Sequence, residues 1–380
     1  MHALPLTVLP IFGTRPEAVK MATLVNELKS RPEQFRVVVC VTAQHRQMLD
    51  QVLHAFDIVP DYDLDIMQQG QTLTQVTTRA LGGLETVLSE VKPDLVLAQG
   101  DTTTVLAAAL ASAYAKTAFG HVEAGLRTDN KFDPFPEEIN RRITTQITDL
   151  HFAPTALAKE NLLREGIRED AIYMTGNTVI DALQQVTGKN APQSSTRNDG
   201  LRTLLVTTHR RENWGAPLEG VALALHDIVE KFPDTKIILP MHKNPVVREP
   251  LERILGAHSR VELIEPPDYL DFVGLMEQSF LVLTDSGGVQ EEAPALGLPV
   301  LVLRRTTERP EGVAAGTAKL IGTQRDDIVR EASILLSDQN AYNAMSHAAN
   351  PYGDGQAGKR IAQAILHWAG HEKRPADFEF

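Results

Sequence analysis

Cysteine is almost absent. Cys40 is the only one in 380 residues, so no intrachain disulfide can form and a reducing compartment is implied. It sits in VVVCVT, which reads as a buried strand where a thiol packs as a small apolar group. Positive charge is also in deficit. Against 49 Asp and Glu stand 37 Lys and Arg, a formal charge of -12. That balance argues against general nucleic-acid or anionic-membrane binding, and any anionic ligand requires a local positive pocket. No apolar run is long enough to span a bilayer. The opening MHALPLTVLPIFG lacks a basic n-region and a small-residue cleavage site, so the expectation is a cytoplasmic protein.

Several chemical signatures are missing too. There is no HExxH and no cysteine cluster, so no metal site is expected. No GxGxxG follows the first strand, so nothing signals a dinucleotide cofactor. No GxSxG elbow points to a nucleophilic hydrolase.

What is present is a repeated βα pattern. A 43% hydrophobic fraction over this length suits two domains with sizeable cores. Continuous apolar runs predict buried strands at 6–11, 36–41, 94–98, 118–122, 151–153 and 172–174. Amphipathic stretches at 17–28, 73–91, 104–115 and 137–150 predict helices between them. Residues 187–200, TGKNAPQSSTRNDG, read as a polar loop or linker. Strands then resume at 203–207, 236–239, 261–264, 281–284 and 300–303, with helices at 218–231, 269–278, 328–336 and 356–368. The expected fold is α/β, with two Rossmann-like doubly wound domains joined near 176–183.

In such sheets, ligands bind beyond the carboxyl ends of the strands. The segments there are GTRPE, GDTTT and HVEAGLR in the first half, and THRREN, HKNP and TDSGGVQEE in the second. Two such rims facing each other would make a cleft. In TDSGGVQEE, Ser286, Gly287 and Gly288 would expose backbone N–H groups at a helix N-terminus, where a phosphate is favoured. A plain helix cap fits that segment about equally well. Arg15 and Lys20 suit an anionic ligand, although either alone reads as a surface cation. Asp101 stands at a strand end or caps the helix that follows. His209 alone is more often structural than catalytic. The loop HVEAGLRTDNKFDPFPEEINRR concentrates carboxylates, and its Asp129 and Asp133 read as solvated charges. Together these features suit an enzyme acting on a nucleotide-linked substrate, without fixing the reaction.

The motifs FGTRPEAVKM, VTAQHRQML, GDTTT, GHVEAGLRT, PFPEEINRR, GNTVIDAL, THRRE, LTDSGGVQEEAP, TTERPEGVAAGT and NPYGDG run in order from Phe12 to Gly355. Together they resemble the non-hydrolysing UDP-N-acetylglucosamine 2-epimerases. The resemblance implies a GT-B-like fold with the active site in the interdomain cleft, and a homodimer. It implies domains at 1–176 and 177–365, with a C-terminal helix at about 366–380 packing back onto the first. It also implies C2 epimerisation of UDP-GlcNAc to UDP-ManNAc without a cofactor, through UDP elimination and re-addition to 2-acetamidoglucal, supplying sugars for cell-surface polysaccharide. By motif position, Asp101, Glu123 and Glu137 would be the acid and base carboxylates, with their order left open. His209 would neutralise the leaving phosphate. Arg15 and Lys20 would contact the nucleotide-sugar, Ser286, Gly287 and Gly288 the diphosphate, Glu292 the ribose and Phe272 the base region, with Arg309 completing the site. Gln44, Gln47, Glu138, Arg210 and His242 match positions of a regulatory site in some members, where Gly70 replaces an Arg.

The chain departs from the family pattern at Gln99, where His is expected, at Thr208 for Gly, and at Pro267 for Gln. The rival readings are a hydrolysing epimerase, a GT-B glycosyltransferase and an inactive nucleotide-sugar sensor. The first usually carries a kinase domain, for which 380 residues leave no room. The second leaves VEAGLRT and PFPEE unexplained. The third is disfavoured by the retention of Asp101, Glu123, Glu137 and His209 together.

Overall fold

The computed structural model describes residues 2–43, 46–68, 70–128, 130–132, 134–187 and 200–380, apart from the side chains of residues 46–48 and 211. The loop expected at 187–200 therefore falls largely outside the described residues, as do Asp129 and Asp133. The chain divides into two units, Met1–Gln185 with Tyr352–Glu379, and Val186–Pro351 with Phe380. Among the described residues no helix is long and apolar enough to cross a membrane.

The first unit is built on strands β1 (Leu6–Phe12), β2 (Phe35–Val37), β3 (Cys40–Val41), β4 (Tyr62–Asp63), β5 (Leu95–Gln99), β6 (Ala118–Val122), β7 (Leu150–Ala153) and β8 (Ile172–Met174). Their order is β4-β3-β1-β5-β6-β7-β8, with β2 beside β1, and the described pairings are parallel. The run 36–41, expected as one strand, is split into β2 and β3. Val38 N–H and Thr42 N–H donate to the carbonyls of Val8 and Phe12, so the even-numbered residues of β1 face this neighbour. Pro10 is among them and has no N–H to donate, and the break lies opposite it. Leu9, Ile11, Val96 and Ala98 pack against Val76, Leu84, Val105 and Ala108 on the helices Leu73–Val91 and Thr103–Ala115.

The second unit has β9 (Arg202–Thr207), β10 (Thr235–Pro240), β11 (Val261–Ile264), β12 (Leu281–Thr284), β13 (Val300–Val302) and β14 (Ala318–Leu320). They form a parallel sheet in the order β11-β10-β9-β12-β13-β14. Leu204, Val206, Leu239 and Leu283 pack against Val221, Leu225, Leu251 and Ile328 from the covering helices. Each unit is thus a doubly wound α/β domain, as the βα pattern implies.

The unit boundaries differ from 176/177 and 365/366. Residues 178–187 form a helix, and Asp181 on it accepts the N–H groups of Ala357 (3.2 Å) and Gly358 (2.8 Å). That fixes the start of helix Ala357–Trp368 in the first unit, where it packs on helix Arg15–Lys29. Burial pushes the Asp181 carboxyl up to about 6. No helix spans 366–380. It stops at Trp368, and Gly370 follows at φ +87°, a left-handed conformation that ends helices. The tail then brings Phe378 N–H to within 2.7 Å of the Met174 carbonyl at the end of β8.

Two glycines should respond to alanine with opposite signs. Gly125 has φ +93°, and a Cβ there would lie 2.2 Å from the Ala158 carbonyl oxygen. Gly125→Ala should lose about 3 kcal/mol from backbone strain and overpacking. Gly82 is exposed inside helix Leu73–Val91, and a Cβ there meets nothing within 4 Å. Gly82→Ala should gain about 0.5–1 kcal/mol. Urea midpoints check both, and a neutral Gly125→Ala would show that the turn after β6 can relax.

Candidate active site

Each sheet reverses its winding once, between β1 and β5 in the first unit and between β9 and β12 in the second. Such switch points open a crevice at the strand carboxyl ends. In the first unit the turns after β1 and β5 are tied together through Glu17. Its Oε2 accepts the N–H groups of Gly13 (2.8 Å) and Thr14 (2.7 Å), and its Oε1 accepts the Thr102 hydroxyl. Burial pushes the Glu17 carboxyl up, against these hydrogen bonds. A Cβ on Gly13 would lie 1.9 Å from Thr42 Oγ1, so this approach requires glycine.

Lys20 and Glu123, both buried, form an ion pair. Asn177 Nδ2 also donates to Glu123 Oε2 at 2.9 Å. Each charge offsets the other's burial. Glu123 has φ +65°, a left-handed conformation costing roughly 1–2 kcal/mol for a residue with a Cβ. Such local strain persists where surrounding contacts enforce it. Asp101 follows Gly100 and pairs with Arg141, while Asn140 Nδ2 donates to the Asp101 carbonyl at 2.8 Å. Helix Glu137–Ile147 therefore fixes Asp101 and carries half-buried Glu137 in its first turn.

His121, fully buried, donates from Nε2 to the Gly100 carbonyl at 2.7 Å. Burial holds its ring down at about 4, so it is neutral at pH 7 and braces the turn leading to Asp101. Arg127 forks onto Glu165 at 2.7 and 2.8 Å, anchoring the end of HVEAGLR.

In the second unit, Asp285 follows β12 and is fully buried. It accepts the backbone N–H groups of His209 and Arg210, the Thr208 hydroxyl and Asn213 Nδ2. His209 Nδ1 stands 3.1 Å from its Oδ1. Burial pushes the Asp285 carboxyl up, but the His209 ring and the backbone donors outweigh it and hold the group below its ordinary value. Ser286 occupies the N-cap position of helix Gly287–Ala295, with no hydrogen bond from its side chain to the helix. A Cβ on Gly287 would lie 3.7 Å from Arg309 Cζ and 3.9 Å from Arg210 Nη2, so two guanidinium groups flank the positive end of the helix.

Carboxylates hold those arginines in place. Arg309 pairs with Glu291, and Arg210 lies 3.2 Å from Glu308. Glu308 also binds Arg304 at 2.5 Å. Burial raises the Glu308 carboxyl, but Arg309, Arg210 and Arg304 bring it down to about 2. Glu292, buried, accepts the Tyr269 hydroxyl at 2.9 Å. Phe272, half-buried, lies one turn along helix Tyr269–Glu277.

The expected residues Arg15, Lys20, Asp101, Glu123 and Glu137 thus gather on the first unit's rim, and His209, Arg210, His242, Ser286, Gly287, Gly288, Glu292 and Arg309 belong to the second unit. His242 is largely exposed, and the partial desolvation that remains, then the His209 ring and Arg248, depress its ring. Gln44 and the Gln47 side chain lie outside the described residues. Glu138, also of the expected regulatory set, lies in the first turn of helix Glu137–Ile147. It is fully buried and engaged by Arg141 (3.4 Å), Arg142 (2.8 Å) and Thr128 N–H (3.2 Å).

The departures are accommodated. Thr208 has no positive φ, and its hydroxyl meets Asp285 at 3.2 Å. Gln99 is buried at the end of β5, beside Val122. Pro267 precedes Asp268, whose side chain caps helix Tyr269–Glu277 at 2.9 Å. Asn177, Arg141 and Asp285 were not foreseen as parts of the site, because their partners are distant in sequence.

Comparison with known proteins bears on the fold and the family. The family model described as UDP-N-acetylglucosamine 2-epimerase matches residues 26–366. The UDP-N-acetylglucosamine 2-epimerase of Bacillus subtilis is 53% identical over 374 residues, covering 98% of each chain. A crystal structure from Listeria monocytogenes aligns with TM-score 0.96 and 53% identity over 100% of both chains. The Neisseria meningitidis UDP-GlcNAc 2-epimerase, solved with UDP-GlcNAc bound, aligns with TM-score 0.90 and 47% identity, over 95% of this chain and 100% of that one. The expected GT-B-like fold of two parallel-sheet domains matches these structures. With its motifs, its two switch-point rims and its full-length likeness in accord, the chain belongs to the UDP-N-acetylglucosamine 2-epimerase family.

Proposed function

We propose that this protein interconverts UDP-GlcNAc and UDP-ManNAc by eliminating UDP across C1 and C2 and adding it back to 2-acetamidoglucal. The observation that carries the reading is the division of chemistry between the rims. One rim holds carboxylates with fixed cationic partners. The other holds a helix N-terminus flanked by Arg309 and Arg210, with His209 nearby. The C2 proton has no adjacent carbonyl to acidify it, so direct exchange is difficult. Elimination moves the C–H electron pair into a C1=C2 bond while the C1–O pair leaves on the diphosphate. This requires a base at C2, an acid for the opposite face and stabilisation of the departing anion.

Asp101, Glu123 and Glu137 supply the proton-transfer groups in this reading. The N-terminus of helix Gly287–Ala295, with Ser286, Gly287, Gly288 and Arg309, receives the diphosphate, and His209 contacts the oxygen that leaves C1. Arg15 and Lys20 contact the nucleotide-sugar, Glu292 the ribose and Phe272 the base. A second substrate molecule at Arg210 and His242 would act as a regulator. The proposal takes the enzyme to be a cytoplasmic homodimer with no cofactor, serving cell-surface polysaccharide synthesis.

Incubation with UDP-GlcNAc in D2O should give UDP-ManNAc bearing deuterium at C2 and none at C1 or C3, read by proton NMR. Product formed at a normal rate without C2 deuterium would rule out a solvent-exchanging second acid. Free ManNAc with UDP would instead favour hydrolysis.

The anion site has its own test. Gly287→Val should weaken UDP binding about tenfold, or about 1.4 kcal/mol, because the new side chain enters the space between Arg309 and Arg210. Its Cβ makes only ordinary contacts, so the melting temperature should hold. Unchanged affinity by calorimetry would remove this helix end from the ligand site.

A further inference from the structure

We propose that Asp285 is the positioning residue for His209, fixing the ring so that Nε2 is the nitrogen presented to the leaving phosphate. The inference rests on the role given to His209 above. Asp285 leaves β12 and His209 follows β9, two strands paired in register through Thr284 and Thr207. The Asp285 side chain therefore reaches across the switch point to the neighbouring loop. Its Oδ1 lies 3.1 Å from His209 Nδ1. Its Oδ2 accepts from His209 N–H (3.0 Å), Arg210 N–H (3.0 Å), Asn213 Nδ2 (3.0 Å) and the Thr208 hydroxyl (3.2 Å). The carboxylate is fully shielded from solvent while the His209 side chain is 44% exposed.

These contacts have a chemical consequence. A carboxylate only accepts hydrogen bonds, so Nδ1 must carry the proton. Nε2 is then the ring nitrogen open to a ligand. When Nε2 is also protonated, the ring donates to the phosphate oxygen that receives the C1–O electron pair, and the buried carboxylate behind it balances the imidazolium charge. A histidine backed by a buried aspartate works this way in acyl transfer, where the aspartate sets tautomer and orientation without itself taking the proton. Holding the loop backbone with the same carboxylate also limits rotation of the ring away from the ligand. Thr208 contributes here, since its hydroxyl fills a position around Oδ2 that glycine would leave to another donor.

The test combines ring NMR with a double-variant cycle. In protein labelled with 15N, His209 should show a protonated Nδ1 both free and with UDP. Asp285→Asn should lower kcat about 100-fold or more and change KM for UDP-GlcNAc much less. Added to His209→Ala it should cost little further, because residues that act as one unit are not additive. A further large loss in the double variant would mark Asp285 as merely structural and overturn the proposal. So would an unprotonated Nδ1 in the wild-type protein, a measurement that stands even if Asp285→Asn fails to fold. That NMR result would leave the role of His209 intact, whereas near-normal turnover in His209→Ala would remove that role and the inference with it.

Discussion

Parallel strand pairing is the constraint from which the rest of this molecule follows. Two parallel neighbours cannot be joined by a tight turn, so each connection must cross back over the sheet, here mostly through a helix. All carboxyl ends then lie along one edge of each sheet. Where the winding reverses, consecutive crossovers go to opposite faces and leave that edge uncovered. The chain places its charged turns at these two gaps. Lys20 and Asp101 follow neighbouring strands, as do His209 and Asp285. Residues far apart in sequence become neighbours because their strands pair.

Concentrating charge at a partly buried edge has an energetic cost, and the side chains show how it is offset. Lys20 faces Glu123, Arg141 joins Asp101 to Glu138, and Glu308 holds Arg210 and Arg304. Removing one member of such a pair leaves the other charge buried without compensation, which is more damaging than losing an exposed ion pair. The same contacts fix these side chains in place, the kind of preorganisation that spares a polar site reorganisation when charge develops in it. Stability and preorganisation therefore depend on the same bonds.

Much of this was legible in the sequence. Continuous apolar runs located most of the longer strands, because strands buried on both faces leave few polar positions. Glycine and charged residues just beyond them marked the rims. Pro10 was visible as well, but which neighbour would lose its hydrogen bond depends on the pairing, so the split between β2 and β3 could not be read. The partners of buried carboxylates were hidden for the same reason, since Asp101 and Arg141, or Asp285 and Thr208, meet only in the folded chain. The positive φ of Glu123 leaves no compositional trace, because tertiary contacts impose it on a residue that does not favour it. The boundary at 185/186 falls inside helix Thr178–Thr187, close to the junction expected near 176–183, but the tie from Asp181 to Gly358 could not be read because the two meet only in the folded chain.

That tie sets the order in which the protein can be completed. Domains generally fold as units during synthesis, the N-terminal one first. Here the first unit includes residues 352–379, which are made only after the whole of 186–351. Until they emerge, the apolar surface of helix Arg15–Lys29 lacks its covering helix, and Met174 lacks the N–H of Phe378. Val186–Pro351, though made later, is continuous and can close without waiting for the final segment. Of the two units, the one begun first is therefore finished second, and a nascent chain arrested just before residue 352 would carry one complete domain and one with an open flank.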